Sequence, residues 1–426
     1  MQIVSSQNKT KIAIINVGLP ARGKTHSSLS LFRYLSWLGI DCKVFKFAEY
    51  RRELYGTDSL FFGSGYEEYN YLSKERMNTQ KACFGDLVSY LKQEKGQIAI
   101  LDGSSLTKQI RASFASELEE NGIESLFIEY ICDDKKKIEE NIRNVKINSP
   151  DYIKMSTEEA INDFKKKIEN MEPFYETIEE KNISYIKLIN LHTRIITNQL
   201  KGYLPTRIAF YLMNIQVSNK RVYLAMNGQT VTKTSHDTDP ILSEEGTQYA
   251  NKLRENVLER INALNCENPE HSSDNISLKI WSSLETKSIQ TAEPFLSDAN
   301  LTVRNRMMLR EIDLGICNGL SLKDIKEKYP DEFAKYSANP YYHRYPRAES
   351  YYDLSTRLEA VIMDLEREES DVLIIASASV LRCIYAYFAL NPFSRRVIPS
   401  LSFPQLWFIE LTPTAYGCVE KKFPLN

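Results

Sequence analysis

The chain has 426 residues, a net charge of −2 and seven cysteines. Its apolar content of 42% and charged content of 26% are those of a globular protein, with room for two cores at roughly 100–200 residues per domain. The near-zero charge excludes bulk electrostatic binding to nucleic acid or anionic lipid, and no apolar run approaches the ~20 residues of a membrane span. The scattered cysteines include no C-x-x-C pair, which points to a reducing compartment rather than a zinc site. The N-terminus, MQIVSSQNKT, has no charged-then-apolar leader, so a cytoplasmic protein is expected.

Ile12 to Val17 reads as a buried strand that stops at Gly18 and Pro20. The next residues, Gly18, Leu19, Pro20, Ala21, Arg22, Gly23, Lys24 and Thr25, fit the phosphate-loop spacing G-x-x-x-x-G-K-[ST]. An amphipathic stretch from Leu29 to Leu38 follows, so the motif lies between a strand and a helix as its chemistry requires. The glycines let successive N–H groups turn inward onto anionic oxygens. Lys24 then reaches the outer phosphates, and the Thr25 hydroxyl is placed to hold Mg²⁺. A nucleoside triphosphate is the expected ligand.

Gly39 ends that helix, and a second strand covers Cys42 to Phe47. Arg51 and Arg52 fall just beyond it: either they contact a ligand at the sheet's edge or they are solvated arginines opening a helix. Tyr55 to Tyr69 reads as an irregular loop, and a helix over Ser73 to Glu94 carries Arg76. The strand Gln97 to Leu101 closes on Asp102. That carboxylate either holds Mg²⁺ or orients an acceptor hydroxyl, or else caps the following turn before Ser104 and Ser105. After the strand Ser125 to Cys132, a charged helix places Arg143 and Lys146 on one face, suited to closing over phosphates, until Pro150 breaks it. A helix from Thr157 to Ile178 carries Lys165, Lys166 and Lys167, and SYIKLINL completes five or six strands alternating with helices. The pattern predicts a parallel sheet covered on both faces.

The run RIAFYLMNI closes a first domain, 1–217, and VYLAM opens a second, 218–426. Further strands are expected at 278–283 and 371–377, with helices around 244–263, 287–296, 321–328 and 350–369. This is again an alternating α/β pattern.

GLPARGKT, RYLSWLG, EYRRE, IEYICDD, VKINSPDY, SIQTAEP, EIDLGICNGLSLKDIKEKYPDEF, YHRYPRAESYYDLSTRLEAVIMDLERE and LTPTAYGC occur in this order along the chain. Through them it resembles the bifunctional 6-phosphofructo-2-kinase/fructose-2,6-bisphosphatase family over essentially its whole length. The resemblance implies a phosphate-loop kinase domain with a doubly wound parallel sheet, followed by a histidine phosphatase-like α/β domain of the phosphoglycerate mutase kind. It implies ATP and Mg²⁺, fructose 6-phosphate as acceptor, and a homodimer. Gly18 to Thr25 would hold ATP and Mg²⁺, with Asn141, Arg143 and Lys146 over the nucleotide. Arg51, Arg76, Ser104 and Lys146 match positions that contact fructose 6-phosphate, Asp102 matches the kinase aspartate, and Cys132 a cysteine linked to that site. The implied chemistry is attack of the sugar 2-hydroxyl on the γ-phosphate.

The chain also departs from this pattern. Ser105 replaces an asparagine. Ile110 replaces a sugar-phosphate arginine, with Arg111 beside it as the remaining candidate, and Lys167 and Met171 replace an arginine and a tyrosine. Weaker fructose 6-phosphate binding is expected, since lysine lacks the two-pronged fit of arginine to phosphate. In the second half the family's R-H-G is Met226-Asn227-Gly228, its second histidine is Ser377, and an arginine is Lys287. Leu322, Tyr336 and Pro340 take the places of a tyrosine, an arginine and a lysine. Glu311, matching the general acid, remains with Tyr351 and Arg382, and none of the five histidines (26, 192, 236, 271 and 343) falls at a catalytic position. An active kinase joined to a phosphatase domain without its nucleophile is therefore expected. The alternative is a regulatory subunit that binds ATP and sugar phosphate without turnover.

Overall fold

The computed structural model describes residues 10–56, 74–94, 96–152, 155–190, 193–215, 220–231, 239–267, 278–388, 395–414 and 417–425, without the side chains of 144–148 and 265. Two units are distinguished, Met1–Val217 and Ser218–Asn426.

In the first unit the apolar runs become β1 (Ile12–Val17), β2 (Cys42–Lys46), β3 (Ile98–Asp102), β4 (Glu124–Ile131) and β5 (Tyr185–Ile189), joined by β6 (Arg194–Asn198). The sheet order is β2-β3-β1-β4-β5-β6. β1 lies inside it and is buried at every position, as a continuous apolar strand of a sheet covered on both faces must be. The helices are α1 (Lys24–Leu38), α2 (Phe47–Tyr55), α3 (Lys74–Lys92), α4 (Lys108–Glu120), α5 (Lys135–Asn148), α6 (Thr157–Met171) and α7 (Tyr203–Asn214). Ala13, Ile15 and Val17 pack with Leu87, Leu91, Phe114 and Leu118 in one core. Tyr34 of α1 stacks on Tyr211 of α7 with ring centres 4.2 Å apart.

The expectation of an all-parallel sheet fails at one edge. β5 and β6 are antiparallel, with Ile189 facing Arg194, because so short a connection cannot make the crossover that parallel pairing needs. Two helix bounds also move. Phe47 leaves the strand to open α2, and α6 stops at Met171 because Pro173 follows within a short 3₁₀ turn, Glu172–Phe174. Most of the loop expected at 55–69 lies outside the described residues.

The second unit has β7 (Val222–Met226), β8 (Leu278–Ser282), β9 (Thr302–Asn305), β10 (Asp371–Ala376), β11 (Trp407–Thr414) and β12 (Gly417–Pro424), in the order β12-β11-β7-β10-β8-β9. β7, β10, β8 and β9 run parallel, β11 pairs antiparallel with β7, and β12 pairs antiparallel with β11 at the edge. Its helices are α8 (Glu244–Glu267), α9 (Thr286–Ala292), α10 (Leu322–Lys328), α11 (Pro330–Ala338), α12 (Tyr351–Arg367) and α13 (Ala378–Phe388). Tyr223, Ala225, Leu373 and Ile375 meet Leu253 and Val257 of α8 in its core. Among the described residues, no helix is long and apolar enough to cross a membrane.

Candidate active site

β1 ends in a loop that needs glycine at its first position. Gly18 has φ +124°, and a Cβ there would lie 2.5 Å from the Tyr130 carbonyl oxygen of β4. Gly23, at φ 85°, caps α1, so the chain enters that helix at Lys24 with its N–H groups facing the loop. Lys24 folds back on the loop: its Nζ donates to the Gly18 carbonyl at 2.8 Å and to the Leu19 carbonyl.

Parallel pairing of β1 with β3 puts Ile15 opposite Leu101, which brings Asp102 level with Asn16. Asn16 Nδ2 donates to Asp102 Oδ1 at 3.4 Å and to Ser28 Oγ at 2.7 Å, and the Thr25 side chain also bonds Asp102. Burial raises the Asp102 pKa, against the opposing pull of Thr25, Lys24, Asn16 and Lys46. Burial likewise lowers Lys24 to about 7, with Arg22, Lys167 and Arg76 adding to the fall and Asp102 opposing it. Thr25 and Asp102 therefore form an all-oxygen pair beside the loop, a donor set that suits a hard cation sharing its shell with phosphate oxygens and water. Asp102 is not a helix cap: Thr107 accepts the first-turn bond of α4 from Ile110 N at 3.3 Å.

α5 docks on this loop through Asn141, whose Nδ2 donates to the Ala21 carbonyl at 3.0 Å. Ile142 sits in a buried cluster with Tyr152, Ala160 and Phe164, against which Ala21 packs. Arg143 is exposed on α5, and the Lys146 side chain lies outside the described residues.

A second group of cations surrounds the same space. Arg51, 2% exposed, pairs with Asp151 at 2.5 Å, and Arg52 reaches the same carboxylate oxygen at 3.4 Å, so neither is the solvated arginine that α2 alone suggests. Arg76 lies over the Phe47 ring at 5.1 Å. Burial brings Lys167 down to about 7, with Arg51 and Arg76 lowering it further and Asp151 and Asp163 raising it. Ser104 is half-buried in the turn after β3, and Ser105 N donates to the Asn16 carbonyl at 3.3 Å. Cys132, buried just past β4, lies within electrostatic reach of Arg22, whose Nη1 returns to the Pro20 carbonyl at 3.1 Å.

Arg111 does not join this group. It is 1% exposed and its five N–H donors make five bonds: Nε and Nη2 to Glu180, Nη1 to the Leu106 and Glu176 carbonyls, and Nη2 to the Thr177 carbonyl. A guanidinium so committed has no donor left for a sugar phosphate, which corrects the sequence expectation. Sequence reasoning also missed Asp151, signalled only by its place after the helix-breaking Pro150. It missed Glu129 too, the buried charge of a largely apolar strand.

In the second unit β7 and β10 pair Met226 with Ala376, so Asn227 and Ser377 stand just beyond neighbouring strand ends. Asn227 N donates to the Ala376 carbonyl at 3.3 Å, and Ser377 Oγ lies 3.0 Å from Ser379 Oγ. Gly228 N donates to Thr291 Oγ1 at 2.9 Å, and a Cβ on Gly228 would stand 2.7 Å from the Gly246 carbonyl oxygen. Lys287 pairs with Glu311 at 2.5 Å. Burial lowers the Lys287 pKa, but Glu311, Glu285 and Asp239 more than offset it and leave the lysine above its ordinary value. Arg382 donates to Tyr351 Oη at 3.0 Å and to the Leu401 carbonyl at 2.6 Å. Of the histidines, His192, His236 and His271 lie outside the described residues, and His343 packs edge-on against Tyr345.

Comparison with known proteins agrees with this division. Residues 1–219 match the family described as 6-phosphofructo-2-kinase, and residues 222–400 match the histidine phosphatase superfamily (branch 1). The chain is 38% identical to 6-phosphofructo-2-kinase/fructose-2,6-bisphosphatase 3 of Rattus norvegicus, covering 97% of this chain and 72% of the relative. It is 37% identical to the 6-phosphofructo-2-kinase/fructose-2,6-bisphosphatase of Gallus gallus, covering 97% and 84%. With both halves matched in order and the kinase domain present, the chain belongs to the 6-phosphofructo-2-kinase/fructose-2,6-bisphosphatase family.

Proposed function

We propose that the first unit transfers the γ-phosphoryl group of ATP to the 2-hydroxyl of fructose 6-phosphate, and that the second unit does not hydrolyse the product through a phosphohistidine. The observation that carries the first statement is the meeting of Lys24, Thr25 and Asp102 at the loop after β1, with Arg51, Arg76 and Lys167 gathered beside it. The loop N–H groups and Lys24 grip the triphosphate, and Asn141 holds α5 against the loop at Ala21. Thr25 and Asp102 are the residues that would hold Mg²⁺, which when bound neutralises charge on the phosphate oxygens. Arg51, Arg76 and Lys167 supply cations for the 6-phosphate, leaving the 2-hydroxyl to face the γ-phosphorus. Asp102 orients that hydroxyl. The sugar 2-hydroxyl oxygen forms the new bond to phosphorus as the bond to ADP breaks, and the hydroxyl proton passes to solvent.

The second statement rests on side-chain chemistry. The lone pair of the Asn227 amide nitrogen is delocalised into its carbonyl, so it cannot accept a phosphoryl group as imidazole does. Met226 and Ser377 bring no positive charge to the strand ends, and Lys287 is already paired with Glu311.

The kinase reading is tested by incubating the full chain with fructose 6-phosphate and Mg·ATP and measuring fructose 2,6-bisphosphate, with Lys24→Met as control. Turnover that the control lacks supports it. ATP binding without transfer to any hexose phosphate would instead favour a regulatory subunit.

A further inference from the structure

We propose that Arg111 is a positioning residue for phosphoryl transfer: it clamps the loop after Asp102 to the segment 172–180, and so sets how far the acceptor stands from the phosphate loop. This rests on the kinase reading above.

The loop 103–107 is tied both to the end of β1 and to the segment 172–180. Ser105 N reaches back to the Asn16 carbonyl at 3.3 Å, and Thr107 is committed to capping α4. Further ties run to 172–180. The Leu106 carbonyl accepts from Arg111 Nη1 at 3.0 Å and from Glu176 N at 3.0 Å, and Lys108 N donates to the Glu176 carboxylate. On the far side, Arg111 takes the Glu176 carbonyl at 2.8 Å and grips Glu180 through Nε at 3.0 Å and Nη2 at 2.7 Å.

The same segment is anchored beneath the phosphate loop. Tyr175 Oη donates to Glu129 at 2.6 Å and Ile178 N to the same carboxylate at 3.2 Å. Glu129 is 0% exposed and immediately precedes Tyr130, whose carbonyl faces Gly18. Leu19 of the phosphate loop and Leu106 of the acceptor loop share a buried cluster against which Tyr175 packs. One continuous path therefore leads from Gly18 through β4 and the segment 172–180 to Arg111 and Leu106.

Charge alone does not account for Arg111. One carboxylate would neutralise it, whereas three backbone carbonyls in addition to Glu180 use the fixed fork of a guanidinium as a spacer, a task that lysine cannot reproduce. If the spacer slackens, the sugar hydroxyl leaves the line of attack and water takes its place. Water oxygen then bonds to the γ-phosphorus as the bond to ADP breaks, giving ADP and inorganic phosphate, with the proton released to solvent.

The experiment compares the full chain with Arg111→Lys and Glu180→Gln. It measures ATP affinity by calorimetry, kcat and KM for fructose 6-phosphate, and the ratio of ADP to fructose 2,6-bisphosphate formed. For Arg111→Lys we expect kcat/KM for the sugar to fall about 100-fold. ATP affinity should stay within about twofold, because the Lys24 loop is untouched, and the ADP ratio should rise. Glu180→Gln should move the same quantities less. An unchanged ADP ratio with only a lower melting temperature would overturn the proposal, as would a parallel loss of ATP affinity. Should Arg111→Lys fail to fold, Glu180→Gln decides by the same two results. If the unaltered chain makes no product, the kinase reading fails. Arg111 is then judged by fructose 6-phosphate affinity beside a non-hydrolysable ATP analogue, which Arg111→Lys must weaken about tenfold for the role to stand.

Discussion

Lys287 of α9 holds the Glu311 carboxylate at 2.5 Å, while Glu285 accepts from the Glu311 backbone N–H at 3.3 Å. The carboxyl group that matches the family's general acid is thus tied to a cation. Because Glu311 is 46% exposed, the pair adds only about 0–1 kcal/mol to stability. Lys287→Met should therefore shift the melting temperature by a few degrees at most, about 2–4 °C per kcal/mol for a unit of this size, as read by thermal denaturation. It should not create hydrolysis of fructose 2,6-bisphosphate, since Asn227 still offers no nucleophile.

Incubating the unaltered chain with fructose 2,6-bisphosphate labelled at the 2-phosphate should leave no acid-labile phosphate on the protein. Label retained on the second unit, or release of inorganic phosphate above blank, would contradict the assignment of Asn227.

The charge of Lys24 makes triphosphate binding sensitive to pH. With the loop empty, burial holds Lys24 near 7, so above that pH the free protein carries a largely neutral amine there. A polyanion favours the ammonium form and raises the pKa, so binding above pH 7 takes up a proton. ATP affinity should fall as pH rises from 7 to 9, by up to about tenfold per unit. Calorimetry in buffers of different ionisation enthalpy should register proton uptake, and Lys24→Met should abolish it. Affinity rising with pH would show the sign to be wrong.

Gly18→Ala should both destabilise the first unit and damage the phosphate loop. Its φ of +124° strains any side chain, and the added Cβ would press on the Tyr130 carbonyl at 2.5 Å. The strain alone costs about 1–3 kcal/mol, readable by denaturant titration, and ATP affinity should fall with it.

Glu129→Ala should be more severe. It leaves Lys187, 3.1 Å from the carboxylate, and the Tyr175 hydroxyl without their partner beneath the sheet. Breaking a buried pair from one side costs about 3–5 kcal/mol, and chemical denaturation of the variant should show it.

The sequence was most legible where physics is local. β1 and β10 are continuous apolar runs because both their faces are covered, and the phosphate loop is spelled out by fixed spacing. β6 and β12, at the sheet edges, are mixed in polarity and carry no such signal: Arg194 and Asn198 bound one, and Glu420, Lys421 and Lys422 lie in the other. Arg111 was misread for a related reason. On its own helix it is one more cation, and it is Glu180, 69 residues away along the chain, together with the Glu176 and Thr177 carbonyls, that turns it inward. The partnership of Arg51 with Asp151 spans 100 residues and was equally invisible to local pattern.

Gly228 approaches Gly246 too closely for any side chain, and Thr291 takes its N–H. The bend beyond β7 is thus specified by the Gly228–Gly246 approach and the Thr291 hydroxyl, independently of what position 227 carries. Side chains exchanged at 226, 227 or 377 would therefore ride on strand ends whose backbone path does not depend on them.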